Sequence, residues 1–141
     1  GLGLFAKAAI AAGALVAELT GEVLPEHAYA QREVAAAAAA ARSGVRYSSY
    51  GLKLAGGEVV DARHKGGVAR FVNHACAPSC VARMVLLGGE RRVGVFARRR
   101  LQAGDEVTVY YRHIAALAYP MGCCCGARGC VTRLAPTLSL P

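Results

Sequence analysis

The 141-residue sequence has no tryptophan, few other aromatic residues, few lysines and no long hydrophobic run. Its longest uncharged apolar stretch, residues 8–17, has about half of the ~20 residues that a membrane-spanning helix needs, so no membrane partner is expected. No basic segment precedes this stretch, which therefore does not read as a secretory signal. The chain also lacks an initiator methionine, and we expect it to be a piece of a longer protein.

Several common enzyme motifs are missing as well. The sequence has no GxGxxG in a βαβ pattern, no P-loop and no GxSxG, which argues against a dinucleotide-binding fold, a P-loop nucleotidase and an α/β-hydrolase. Hydrophobic residues make up 55% of the chain and charged residues 18%, so a disordered segment is excluded. The length fits a single domain with its own core.

The charge is unbalanced. Lysine and arginine total 17 against 9 acidic residues, and arginine outnumbers lysine 14 to 3. One interpretation is a compositional bias of the coding DNA, and the other is a basic face that meets nucleic acid or another polyanion. The run at residues 98–100 is too short to be a binding motif by itself, so both interpretations stay open.

Short apolar runs separated by glycine predict a mainly β fold with a few short helices. Residues 1–23 predict hairpin-forming strands, with turns at 12–13 and 20–21. A helix is predicted over 26–42, which includes seven consecutive alanines, and Ser43-Gly44 should end it. Further strands are predicted at 47–54, 58–61, 81–87, 92–97 and 106–111, and a turn at Gly88-Gly89 joins 81–87 to 92–97.

All six cysteines follow residue 75: Cys76, Cys80, Cys123, Cys124, Cys125 and Cys130. Three of the last four have the spacing C-x-C-x4-C. Such clustering in a chain without a secretory signal favours a zinc site over disulfides or redox chemistry, which stay as alternatives.

Several phrases occur in one order along the chain: Gly-Leu-Gly-Leu-Phe-Ala at 1–6, Thr-Gly-Glu at 20–22, Val-Asp-Ala at 60–62, Arg-Phe-Val-Asn-His-Ala-Cys at 70–76, Gly-Asp-Glu-Val-Thr-Val-Tyr-Tyr at 104–111, and the cysteine cluster. Together they resemble a SET domain followed by a post-SET zinc segment, over residues 1–134. The trithorax/mixed-lineage-leukaemia type is the most similar, and the histone H3 lysine-36 group shares most of the motifs.

This resemblance implies a protein-lysine methyltransferase that uses S-adenosylmethionine (SAM), acting on histone H3 and favouring the lysine-4 type over the lysine-36 type. The implied fold is a set of small curved β-sheets in which a C-terminal segment threads under a loop as a pseudoknot. We expect a SET domain at 1–115 with a helical insert at 26–46, a post-SET segment at 119–135, and a tail at 136–141.

The resemblance also implies roles for individual residues. Tyr111 matches the catalytic tyrosine, and Tyr50 matches a second tyrosine that lines the lysine channel and the SAM pocket. Arg70 either contacts the carboxylate of the cofactor or packs under the knot. The residues implied to bind SAM are Gly1, Leu2, Gly3, Tyr50, Arg70, Asn73 and His74.

The implied zinc ligands are Cys76, Cys123, Cys125 and Cys130. Four thiolates suit a closed, structural zinc site. Cys80 and Cys124 are left over, the first as a buried free thiol.

The lysine channel departs from the family pattern. Val109 stands where the family has Phe or Tyr, and Leu52 replaces another aromatic residue. The smaller Val109 suggests room for di- or trimethylation. These losses also keep alternatives open: a weakened SET domain acting as a binding or scaffold module, a methyltransferase of a non-histone protein, or a small zinc-stabilised nucleic-acid-binding module.

The expected partners are the histone H3 tail in nucleosomes, nucleosomal DNA at the basic surface, and activating protein subunits. The expected location is the nucleus. Local acids that can attract a basic tail are Glu18, Glu22, Asp61 and Glu106.

Overall fold

The computed structural model describes residues 2–111, 123 and 125–130. Within them the chain is mainly β, with one α-helix, as the sequence predicts. In chain order the elements are β1 (Leu15–Leu19), β2 (Glu22–Pro25), α1 (Glu26–Ser43), β3 (Gly51–Lys53), β4 (Glu58–Asp61), a 3₁₀ turn (Val68–Phe71), β5 (Asn73–His74), β6 (Cys80–Leu87), β7 (Glu90–Ala97) and β8 (Thr108–Val109).

The strands form three small sheets. Their orders are β1-β7-β6, β2-β4-β3 and β5-β8, and only the β5-β8 pair is parallel. The predicted hairpin within residues 1–23 is therefore wrong, because β1 and β2 belong to different sheets. Gly21 lies between β1 and β2 and allows the chain to pass from one sheet to the other close to the backbone of β4. A Cβ at Gly21 would lie 2.5 Å from the carbonyl oxygen of Asp61. Alternating apolar residues indicate a strand but do not choose its partner.

The helix α1 matches its prediction to within one residue. It ends at Ser43 and is capped by Gly44, whose φ of +67° suits a residue without a side chain. The Gly44 N–H donates to Ala40 O. Only Tyr29 and Glu33 of this helix are buried. The contact of α1 with the sheets is therefore concentrated in its first half, ahead of the alanine tract.

Turn signals are more reliable than strand lengths in this chain. The β6–β7 hairpin turns at Gly88 and Gly89, both with positive φ, as predicted. β3 is shorter than the predicted 47–54. Ahead of it, the Tyr47 and Ser49 side chains bond to α1, and Ser48 O accepts from the Arg63 side chain. β8 occupies only two residues of the predicted 106–111.

The main core lies between the β1-β7-β6 sheet and the β5-β8 pair. Its buried members are Ala6, Ala69, Val72, Cys80, Val95, Ala97, Leu101, Val107 and Val109. No helix in the described residues is both long and apolar enough to cross a membrane. The predicted domain limit at 115 and the tail at 136–141 lie outside the described residues.

The last strand is held by two neighbours. β8 pairs with β5, Asn73 opposite Thr108 and His74 opposite Val109. The Ser79 N–H donates to Thr108 Oγ1 at 3.0 Å, and the Ser79 hydroxyl donates to Glu106 O at 2.7 Å. β8 is thus bonded both to β5 and to the end of the loop that follows β5, which carries Cys76.

Candidate active site and metal site

Asn73 joins the start of the chain to the segment before β8. Its side-chain amide donates to Leu2 O at 3.1 Å and to Glu106 Oε1 at 2.8 Å. Gly3 lies so close that a Cβ would be 2.9 Å from Glu106 Oε1 and 3.2 Å from Asn73 Nδ2. A side chain at this position would push the polar pair aside, so glycine lets the loop approach it closely. The structure brings together three of the predicted cofactor residues, Leu2, Gly3 and Asn73; Gly1 lies outside the described residues.

His74 and Tyr111 are joined directly. The Tyr111 backbone N–H donates to His74 Nδ1 at 3.0 Å, and the two rings are 5.5 Å apart. The Tyr111 hydroxyl donates to the carbonyl oxygen of Val72. The predicted catalytic tyrosine and the predicted cofactor histidine therefore form one hydrogen-bonded unit, built on the β5-β8 pair.

The protonation of His74 follows from these contacts. Because Nδ1 accepts a hydrogen bond, the proton of the neutral ring is on Nε2, which faces Cys76 Sγ at 3.4 Å. Burial lowers the pKa of His74, partly offset by the Val109 backbone. The neutral ring thus links the tyrosine to the first cysteine of the cluster.

The four cysteines predicted as ligands converge. All four sulfur atoms lie within 4.8 Å of one another, and Cys76 Sγ is 3.9 Å from Cys123 Sγ and 3.8 Å from Cys130 Sγ. Tetrahedral zinc with Zn–S bonds of about 2.3 Å separates its sulfur ligands by about 3.8 Å. The cluster can therefore hold a metal ion with little rearrangement.

The thiols of the cluster differ in their surroundings. Burial, followed by neighbouring sulfur atoms, raises the pKa of Cys123, whereas the backbone N–H groups of Cys76 and Ala127 lower the pKa of Cys125. A divalent cation favours the thiolate form of both. Cys80 is fully buried outside the cluster, and burial raises its pKa, which suits the expected inert thiol. Cys124 lies outside the described residues.

Tyr50 lies between two arginines. The guanidinium carbon of Arg70 is 5.3 Å from the centre of the Tyr50 ring, and that of Arg63 is 5.5 Å away. Arg70 also lies over Phe71, at 5.0 Å. Within the part of the chain that the structure describes, the buried Nε of Arg70 has no hydrogen-bond partner. Arg70 thus packs against aromatic rings and keeps a polar atom available for a ligand.

The two residues predicted for the lysine channel lie in different apolar clusters. Val109 is 3% exposed and belongs to the main core, against which Tyr111 also packs. Leu52 packs with Leu54, Val60 and Val93. Their roles in a channel stay predictions.

Three of the four acids named as attractors of a basic tail form ion pairs. Arg32 bonds to Glu22 at 2.8 Å and to buried Asp61 at 3.3 Å, and Glu18 is 3.4 Å from Arg92. Glu106 accepts from Asn73. These carboxylates therefore have structural partners.

Sequence reasoning missed a second polar cluster beside Tyr50. Glu33 of α1 is buried, and its carboxylate accepts hydrogen bonds from Tyr47 and Arg63. The one signal in the sequence is an acidic residue just ahead of an alanine tract. That signal does not reveal burial, because charged residues in such a helix are usually exposed.

The geometry agrees with the comparison to known proteins. The family model described as "SET domain" matches residues 1–112. A Yarrowia lipolytica protein named "Histone-lysine N-methyltransferase, H3 lysine-4 specific" is 38% identical over 129 residues, which are 91% of this chain and 11% of that protein. The Mycosarcoma maydis protein of the same name is 38% identical over 132 residues, covering 91% and 8%.

A second Yarrowia lipolytica protein, named "Histone-lysine N-methyltransferase, H3 lysine-36 specific", is 40% identical over 131 residues, covering 93% of this chain and 16% of that protein. The chain spans less than a fifth of the length of each of these relatives. The shared region is thus one domain of larger proteins. From the match over residues 1–112 and the convergence of Asn73, His74 and Tyr111, this chain belongs to the SET-domain family.

Proposed function

We propose that this domain transfers a methyl group from SAM to the ε-amine of a protein lysine, with histone H3 as substrate and the lysine-4 type favoured over the lysine-36 type. The observation that carries the proposal is the joining of Leu2, Asn73, His74 and Tyr111 around the β5-β8 pair. The names of the relatives support the choice of substrate.

The described residues fit the cofactor. Because Gly3 has no side chain, its backbone lies close to the polar side chains of Glu106 and Asn73. The buried Nε–H of Arg70 is a donor suited to the carboxylate of the cofactor. When bound, SAM supplies an electrophilic methyl group. The residues that would hold it are Gly1, Leu2, Gly3, Tyr50, Arg70, Asn73 and His74.

The substrate amine must be neutral to react, although the ordinary pKa of lysine is about 10.4. Removal from water and a nearby positive charge both lower that pKa, so no strong base is needed. The Tyr111 hydroxyl donates a hydrogen bond to Val72 O, and its oxygen can then accept a hydrogen bond from an N–H of the amine. In this way Tyr111 orients the nitrogen lone pair, and orientation is the main catalytic contribution.

We further propose that the metal is one structural zinc ion held by Cys76, Cys123, Cys125 and Cys130. Cys76 lies two residues after His74, so the ion would fasten residues 123–130 beside the β5-β8 pair. The proposed division of the chain is a SET domain at 1–115 with an insert at 26–46, followed by a post-SET segment at 119–135.

The surface supports a nucleosomal setting. Arg83 and Arg98 line a shallow depression of about 280 Å³ that also includes Phe96, and clustered guanidinium groups suit DNA phosphates. We propose contact with nucleosomal DNA at this face, a nuclear location, and activation by further protein subunits. The small side chain of Val109 supports a di- or trimethylated product.

The test is incubation of the full chain with labelled SAM and recombinant nucleosomes, followed by mass spectrometry of the histones. We expect label on an H3 lysine, and at least a 100-fold lower rate in Tyr111→Phe, in the range attributed to orientation of a reacting group. Only monomethyl product would overturn the proposal for Val109. SAM binding without transfer would instead favour a scaffold module.

A further inference from the structure

Glu33 introduces a buried charge into the face of α1 that meets β3. The residue is only 2% exposed, and its carboxylate accepts hydrogen bonds from the Tyr47 hydroxyl and from Arg63 Nη2. A buried carboxylate is costly unless it is paired and hydrogen-bonded. The two donors therefore determine where Glu33 lies, and Glu33 in turn fixes them.

Arg63 connects this carboxylate to an aromatic ring. Its Nη2 donates to Ser48 O at 3.0 Å, and its backbone N–H donates to Asp61 Oδ1 at 3.0 Å. The same guanidinium lies 5.5 Å from the centre of the Tyr50 ring. The backbone and the guanidinium of Arg63 are thus both held by hydrogen bonds, and the flat guanidinium lies in a fixed place beside Tyr50.

A second cation contacts the same ring, since Arg70 lies 5.3 Å from its centre. Two positive groups at one ring repel each other. The negative charge of Glu33 offsets that of Arg63, which allows both guanidinium groups to stay against Tyr50. Arg70 remains the member of the pair without a described acidic partner.

We propose that Glu33 and Arg63 are positioning residues that hold the Tyr50 ring in place for methyl transfer. This inference rests on the proposed function, which places Tyr50 at the lysine channel and the cofactor. The insert helix α1 thereby contributes to the active site through one carboxylate and one guanidinium.

Arg32 provides a matched control. It precedes Glu33 on the same helix and also forms ion pairs, but its guanidinium bonds to Glu22 and Asp61 at the β2-β4 pair. Arg32→Gln therefore loosens α1 and removes none of the contacts among Glu33, the Arg63 guanidinium and the Tyr50 ring; the residue it shares with them is Asp61, whose other oxygen accepts from the Arg63 backbone N–H. An effect of general helix destabilisation should appear in this variant as well.

The experiment uses the full chain with ¹³C-labelled tyrosine rings and compares Glu33→Gln and Arg63→Lys with Arg32→Gln. Tyr50→Phe identifies the Tyr50 NMR signal by its loss. We expect this signal to shift in the first two variants and to stay in place in Arg32→Gln. We also expect kcat on nucleosomes at saturating SAM to fall roughly 10- to 100-fold in the first two variants only, as for a misplaced reacting group.

An unchanged Tyr50 signal in both variants overturns the inference, and so does an equal shift in Arg32→Gln or a shift with unchanged kcat. If the wild-type chain transfers no methyl group, the proposed function has failed, and the role in methyl transfer fails with it. A shift of the Tyr50 NMR signal in that case would still show that Glu33 and Arg63 hold the Tyr50 ring. If Glu33→Gln does not fold, the same two measurements are made on Arg63→Lys and Tyr47→Phe. Tyr47→Phe removes one hydrogen bond to the Glu33 carboxylate.

Discussion

The β5-β8 region and the α1-β3 region, which we define by Glu33, Tyr47, Tyr50 and Arg63, hold the two proposed active-site tyrosines in different ways. Around β5-β8, the Tyr111 backbone N–H donates to His74 Nδ1 and its hydroxyl donates to the carbonyl oxygen of Val72, next to a cysteine cluster. Around α1-β3, Tyr50 is fixed by charged side chains that come from a helix and a loop. The bond of Tyr111 to the Val72 carbonyl survives most substitutions of neighbouring side chains, whereas the Glu33–Arg63 pair is lost with either partner.

This comparison implies different weaknesses. The β5-β8 region should fail when the cysteine cluster is broken, since the proposed zinc ion would tie Cys123, Cys125 and Cys130 to Cys76. The α1-β3 region should fail through poor packing or through a change in the charge state of its buried polar groups. The following experiments separate the two regions, beginning with the largest expected effect.

Cys130→Ala removes a sulfur that is only 1% exposed and should abolish tight zinc binding, because structural zinc sites supply folding free energy directly. We expect about one zinc per chain in the wild type, little in the variant, and a marked fall in Tm. Metal analysis by mass spectrometry and a thermal melt measure both. The control is Cys80→Ala, which removes a buried thiol outside the cluster and should keep its zinc. Full zinc content in Cys130→Ala would contradict the proposed ligand set.

Gly51→Ala tests the packing of α1 on β3. The added Cβ would lie 2.2 Å from the ring of Tyr29, a buried residue of the helix. We expect a loss of about 1–3 kcal/mol in the free energy of unfolding, measured with urea. The control is Gly129→Ala, where no atom of the described residues lies within 4 Å of the new Cβ, so stability should hardly change. Equal stability of the two variants would refute the tight contact.

Alkaline pH should weaken the α1-β3 region. Burial, followed by the bond to Glu33, raises the pKa of Tyr47 to about 12. Because the folded chain favours the neutral phenol, this stabilisation is complete below about pH 10 and is lost as the pH rises toward 12. Urea unfolding from pH 9 to 11.5 should therefore show a smaller loss of stability in Tyr47→Phe than in the wild type. Identical pH curves would mean that Tyr47 does not contribute.

Breaking the exposed ion pair between Lys53 and Glu26 should give the smallest change in the free energy of unfolding. The two atoms are 2.8 Å apart, but both side chains are more than 40% exposed. We expect Lys53→Met to change the free energy of unfolding by about 1 kcal/mol or less, as for other surface pairs. Urea unfolding at low and high salt is the measurement. A loss as large as that of Gly51→Ala would show that α1 depends on surface charge as much as on packing.

The site at β5-β8 was largely predictable because its residues occur in recognisable phrases. Asn73, His74 and Cys76 are within four positions of one another, and the convergence of the cysteines follows from their spacing and the family resemblance. The α1 helix was predictable from its composition, and the β6–β7 hairpin from its paired glycines.

The pairing of β1 and β2 and the Glu33 cluster were not predictable in this way. Strand partners depend on contacts between distant residues, such as the approach of Gly21 to Asp61. Glu33 and Arg63 are 30 residues apart, and no local pattern indicates that they meet. Burial of a charge depends on the whole surrounding packing, which a helix pattern does not contain.

The bond from Asn73 to Leu2 spans 71 positions of sequence, and Phe5 and Ile10 are bridged to Glu106 and Leu101. Contacts between distant residues form slowly because a large loop must close first. During synthesis, Leu2, Phe5 and Ile10 leave the ribosome well before Leu101 and Glu106, so these contacts must wait for the later residues. The loop at Leu2–Gly3 is therefore made before its partners and completed only after they have been synthesised, so the proposed cofactor site forms late in the folding of this domain.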